Sequence, residues 1–100
     1  MKINPVAPTY GKGKKLAVTS ASASIQFQKN QHCLSVYNTL DESVFVRVSG
    51  LGNDAAVVDA DYIIGAGQKE ILDIDPSHEY FYAISSGGSG DVFIMPVTGI

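Results

Sequence analysis

The stretch AISSGGSGDVFI, residues 83–94, decides what kind of fold to expect, because a Ser/Gly run between two apolar segments admits three readings. It can cradle a phosphate, expose a nucleophilic serine, or turn the chain. A phosphate loop needs its glycines to lead into Lys-Ser or Lys-Thr at a helix start, and no lysine follows Lys69. A nucleophile elbow needs G-x-S-x-G on a strand-to-helix turn. Here Ser89 is followed two residues on by Asp91, and the flanks EYFYAI and DVFIMPV are strand-like on both sides. The run therefore reads as a flexible hairpin turn in which glycine supplies positive φ.

The same alternation of short apolar runs and turn signals covers the rest of the chain. KKLAVTS (14–20), ASIQF (23–27), CLSVY (33–37), SVFVRVS (43–49), KEILDI (69–74), EYFYAIS (79–85) and DVFIMPV (91–97) are rich in residues that pack well on a pleated surface. In SVFVRVS, Val44, Val46 and Val48 share one face, with Phe45 and Arg47 opposite. Turn residues separate the runs at Asn38 to Glu42, Ser49 to Asn53, Gly65 to Gly67, and Asp75 to Ser77. Strands at roughly ten-residue spacing predict an all-β fold, a single small antiparallel β-sandwich or jelly-roll-like barrel of about 7–8 short strands. Residues 53–64 compete for helix, with Asn53 as cap and Gly65 past the end. Their apolar positions keep no clean helical period, so they read as a long connection or irregular strand. Residues 1–13, MKINPVAPTYGKG, hold two prolines and two glycines and read as an extended N-terminal arm on a 14–100 sandwich domain.

Charge is distributed unevenly. Residues 1–29 carry five lysines and no acid, whereas 30–100 carry Arg47 and Lys69 against ten acids, within a net charge of −3. A basic leader on an acidic body suits head-to-tail contact between like subunits, so a homo-oligomer is expected. Tyr10, Lys12, Lys14 and Lys15 of the leader are candidate partner contacts. An acidic body and a single arginine argue against nucleic acid as that partner. The single cysteine, Cys33, excludes an intrachain disulfide framework, fits assembly in a cytosol, and reads as a buried inert thiol. The start lacks the apolar core of a signal peptide, and no run approaches the ~18 apolar residues of a membrane span, so a soluble protein with no membrane partner is expected.

Chemical motifs are few. Gly50-Leu51-Gly52-Asn53-Asp54-Ala55 matches G-x-G-x-x-A, with Glu70 where a ribose-binding acid would be sought. That site works only at the helix start of a parallel βαβ unit, which this chain does not show. Asp73, Asp75, His78 and Glu79 offer ligand atoms within seven residues, but Pro76 and Ser77 make the segment an ordinary polar turn. No catalytic residue, cofactor or metal is expected. Within EYFYAIS, neighbouring side chains point to opposite faces. With Phe81 and Ala83 inward, Tyr80 and Tyr82 face outward and become candidate partner contacts; the other phase buries both tyrosines with Ile84.

MKINPVAPTYGKGK followed by VTSASASI, then CLSVYNTLDESVFVRVSG (a paired strand ending in an R-V-type tip), DYIIGAGQKEIL and YFYAISSGGSGDVFIMPVTG, together resemble small all-β virion proteins of tailed bacteriophages and prophages. The likeness spans nearly the whole chain. The matching "ADxxIxAG" step is Ala60, Asp61, Ile64, Ala66 and Gly67, followed by the Gly88 to Gly90 turn and Gly99. The resemblance brings no catalytic signature. It implies a non-enzymatic virion protein, made in the host cytoplasm, whose partners are the major capsid protein or other virion proteins. Its role would be that of a capsid decoration or cement protein, with a head–tail or tail accessory protein, or a glycan-binding β-sandwich module, as alternatives.

Overall fold

Strand formation follows the period-2 pattern of burial. In the computed structural model, which describes residues 6–8, 10–50 and 52–99, nine strands are present among the described residues. They are β1 (Val6–Pro8), β2 (Lys14–Val18), β3 (Ala23–Gln26), β4 (Cys33–Asn38), β5 (Val44–Ser49), β6 (Tyr62–Ile64), β7 (Lys69–Asp73), β8 (Tyr80–Ser85) and β9 (Gly90–Gly99). No helix occurs among the described residues, so 53–64 is a connection ending in β6.

The strands form two antiparallel sheets. In the larger, β9 lies between β4 on one side and, on the other, β2 along its first half and β1 along its end; β7 closes the far side of β4. The smaller sheet runs β3-β8-β5-β6. Because β1 and β2 share one flank of β9, each sheet is four strands wide, and the chain changes sheet at almost every connection. This is the jelly-roll arrangement. Val6–Pro8 of the expected arm is thus a strand of the body, and a proline is tolerated there because β1 is an edge strand. The arm's residues 1–5 and 9 lie outside the described residues.

The inner faces meet in one core. Leu16, Val18, Leu34, Val36, Val92 and Ile94 from the larger sheet pack against Val44, Val46, Ile64, Phe81 and Ala83 from the smaller. Val44 and Val46 share the face read from their spacing, and Phe81 with Ala83 settles the phase of β8.

One turn is corrected. Ser85 to Gly90 does not close a hairpin, because β8 belongs to the smaller sheet and β9 to the larger. The connection carries the chain across the sandwich, and so does 39–43 between β4 and β5. Nor do its glycines supply positive φ, which among glycines of the described residues occurs at Gly11 and Gly67. They supply room. A Cβ on Gly88 would stand 3.2 Å from Cγ of Glu42, and one on Gly90 3.1 Å from Cγ of Leu40. The turn is held by Ser85, whose Oγ accepts from the amides of Gly87 (3.1 Å) and Gly88 (2.7 Å).

At the same end, fully buried Asn38 ties two connections together. Its Nδ2 donates to the carbonyls of Glu42 (2.9 Å), Ile64 (3.2 Å) and Gly65 (3.0 Å), while Oδ1 accepts from Leu40 N (2.9 Å). Replacement Asn38→Asp keeps the shape but points a carboxylate at three carbonyl oxygens. A buried group left unsatisfied costs about 1–3 kcal/mol, more if charged. The variant should lose about 3 kcal/mol at neutral pH and recover part of it as acidification restores a donor; urea unfolding at pH 7 and pH 4 measures both.

Candidate partner-binding surface

The outer faces of the two sheets are treated differently by the chain. On the smaller sheet, connection 50–61 folds back over the strands and is anchored by Arg47 of β5. Arg47 Nη1 donates to Asp54 Oδ1 (2.7 Å), and Nε and Nη2 donate to Asp61 Oδ1 (3.1 and 3.0 Å). Asp61 Oδ2 accepts from Val57 N (2.7 Å), Ser22 Oγ from Ala56 N (3.0 Å), and Tyr82 Oη from Asp54 N (3.1 Å). Two carboxylates and three backbone amides of the connection are therefore satisfied on this face. The backbone amide of Ala55, and then the Arg47 guanidinium, hold the Asp54 carboxyl below its ordinary value of 3.8.

This cover decides the fate of the two tyrosines. Tyr82 does point away from the core, but it retains only 2 % of its exposure because the connection lies on it. It is not available to a partner, which corrects its assignment as a contact. Tyr80 is half-buried, with Gly52 set against its ring so closely that a Cβ there would stand 3.2 Å from Cζ.

The outer face of the larger sheet is open around Tyr37, Phe93 and Ile71, while Ser35 and Val97 on the same face are buried and Gly13 lies against Met95. An antiparallel sheet with one solvated face normally alternates apolar-in and polar-out. Here the outward row runs Lys15, Phe93, Tyr37, Lys69 across β2, β9, β4 and β7, and the next row runs Met95, Ser35, Ile71. Tyr37, Phe93 and Ile71 keep 42 %, 44 % and 48 % of their exposure. Tyr37 and Phe93, with Met95, Ser35, Val97 and Lys69, surround a depression of about 260 Å³. An apolar centre with Lys15, Lys69 and Asp73 at its rim is the anatomy of a protein contact surface. Cys33 lies at the margin of this face, half-exposed and donating from Sγ to Asp73 Oδ1 (3.5 Å), rather than buried as its apolar setting suggested.

The remaining leader residues separate. Tyr10 stands in a turn with 82 % of its surface exposed. Lys12 and Lys14 line a second, polar depression of about 310 Å³ with Gln26, Phe27 and Gln28, between the β2 and β3 edges. Lys15, one residue on, projects from the opposite face beside Phe93. Only Lys15 among the named residues therefore joins the apolar surface. The face as a whole escaped sequence reading, although a signal existed. Val92-Phe93-Ile94-Met95 and Ile71-Leu72 are unbroken apolar runs, and in an antiparallel strand such a run makes both faces apolar. The segment around Asp75 is the polar turn expected: Asp75 Oδ1 accepts from Ser77 N (2.9 Å) and Oγ (2.8 Å), and His78 Nδ1 accepts from Asp75 N (3.2 Å). Among the described residues no group of three His, Cys, Asp or Glu is placed to hold a metal ion.

No family model matches the chain, and no curated protein matches its sequence. Among solved structures it is similar to the Drosophila melanogaster CENP-C cupin domain, with 11% identity over 88% of this chain and 57% of that chain and a TM-score of 0.47. This chain thus spans a little over half the length of that one. It is also similar to a structure of Bacillus endospore appendages, described as forming a family of disulfide-linked pili (9% identity, 99% of this chain, 92% of that chain, TM-score 0.49). A third is an RmlC-like cupin from Shewanella frigidimarina (12% identity, 95% of this chain, 84% of that chain, TM-score 0.38). These are distant likenesses of architecture, and nothing about function is taken from them.

Two outcomes are expected. Because the folded Asp54 carboxyl titrates below its unfolded value, its contribution to holding 50–61 is present above about pH 4 and is lost as pH falls through the lowered value. Carboxyl NMR titration should show Asp54 moving upward in Arg47→Ala yet staying below 3.8, since the Ala55 amide remains. Separately, Phe93→Glu should change unfolding free energy by less than about 1 kcal/mol in urea titration, because the ring already faces water.

Proposed function

We propose that this β-sandwich module is a non-enzymatic structural protein of a tailed-bacteriophage virion, a decoration or cement protein seated on the outer capsid surface. One observation carries the reading: a rigid sheet whose outer face holds an exposed apolar centre at Phe93, Tyr37 and Ile71, while connection 50–61 lies over much of the opposite sheet and leaves Ile63 exposed at its edge. Binding through a preformed sheet face loses little entropy, since the contacting strands are already ordered by the core behind them. Phe93 and Tyr37 are the anchors, large aromatic groups at the centre of a patch with a charged rim. The strand-and-turn resemblance to small virion proteins supports the same role, with the major capsid protein as partner.

A glycan-binding module is the second reading. It is favoured by the adjacency of Tyr37 and Phe93 in one row, where two exposed rings could stack on a sugar face. A glycan array separates the two: specific signals abolished by Phe93→Ala would replace the structural reading.

Quantitative mass spectrometry of gradient-purified particles tests the proposal directly. Copies near one per major capsid subunit, or a simple fraction of one, are expected for a lattice-wide decorator. A handful of copies per particle would transfer the protein to the tail or connector, and absence from particles would overturn the virion role. Phe93→Glu should leave the protein folded but deplete it from particles by roughly tenfold or more, the scale of a central interface anchor.

A further inference from the structure

The larger sheet ends in β7 on one side and in β2, continued by β1, on the other. Among the described residues neither β2 nor β7 has a strand bonded to its outer side. We propose that copies of this chain associate edge to edge, β7 of one copy pairing antiparallel with β2 of the next, so that the sheet runs on from copy to copy. The inference stands on the geometry of the edges and not on the virion reading.

Strand direction makes the junction natural. Directions alternate strictly across β2-β9-β4-β7, so the two edge strands run opposite ways. A second copy displaced along the sheet therefore presents its β2 antiparallel to β7, with its core and its outer face on the same sides as the first. Both edges are five residues long. Backbone hydrogen bonds supply the contact, as in strand addition to an open sheet.

Side chains select the register. Setting Leu16 opposite Leu72 keeps core-facing residues on the core side, and it brings Lys15 opposite Asp73 and Ala17 opposite Ile71 on the outer face. Lys15 and Asp73 are both exposed in the single copy. The same register sets Val18 opposite Glu70; a slide of two residues loses the ion pair by setting Lys15 against Ile71, or in the other direction leaves only Ala17 and Val18 opposite β7, and a slide of four sets Lys15 against Lys69. A slide of one exchanges the two faces altogether.

Lysine on an edge strand ordinarily keeps other chains away. Here it does so selectively: two β2 edges would oppose lysines, whereas β7 offers the acid that neutralises them. The contact is therefore heterologous, joining unlike edges, and builds a ring or an open row rather than a closed dimer. The row also lines up successive apolar faces, with Ala17 of one copy beside Ile71 of its neighbour.

Sedimentation of the whole protein at rising concentration and low salt tests the inference. Mass should grow beyond the dimer and fall back at high salt. Asp73→Lys and Lys15→Asp should each shift the association midpoint by roughly tenfold or more, while circular dichroism shows both folded. Mixing these two variants recreates an opposite-charge pair at every junction, and so does combining them in one chain; assembly should return in both cases. A monomer at all concentrations would overturn the proposal, as would single variants that assemble like the parent. Growth that stops at the dimer and responds to Phe93→Glu rather than to charge reversal would instead assign the contact to the apolar face.

Discussion

The chain changes sheet at almost every connection, and the rest of the structure depends on that constraint. Stacked sheets lie about 10 Å apart, so each crossing must carry backbone over the end of the core without burying unpaired polar groups. Of the consecutive strands in different positions, only β5 and β6 pair with each other, and they are separated by the long connection 50–61. Everything else is held by partners remote in sequence. Short local turns are thus not closures but bridges, and their chemistry is set by what passes beneath them.

The end of the sandwich where 39–43, 65–68 and 86–89 meet shows how this is met. Asn38 satisfies carbonyls from two connections at once, and Thr39 donates from both its amide (3.3 Å) and its hydroxyl (2.6 Å) to the Asp91 carbonyl. Gly88 and Gly90 leave space for Glu42 and Leu40. The opposite outer surface is closed by a different device, an arginine holding two aspartates of a returning segment. Polar groups therefore close the ends and one face, while apolar groups fill the middle and are left open on the other face.

Much of this was legible and some was not. Alternation in SVFVRVS assigned the inward valines correctly, because a half-buried strand writes its burial into its own sequence. Ser85 to Gly90 announced a turn but not its destination, since a hairpin and a crossing use the same residues. The difference lies in Leu40 and Glu42, more than forty residues away. Tyr82 pointed outward as its phase required, yet its burial depends on Asp54 and Arg47 meeting above it, which no local pattern records. β6 has three residues and β1 holds a proline, so neither carries a strand-length signal. The apolar outer face was written plainly in Val92 to Met95, but a run that is apolar on both sides reads at first as merely well buried.

β9 follows both β2 and β4 in the chain and occupies the interior of its sheet, between them. A ribosome delivers it after every strand it must join. Until it emerges, β2 and β4 face a vacant slot one strand wide, with open backbone edges and the core half of the sandwich unsealed. Completion of the larger sheet consequently waits until β9 has emerged, and pairing of this non-local kind is slow. During that interval the vacant slot is the part of the nascent chain that must be kept from accepting a foreign strand.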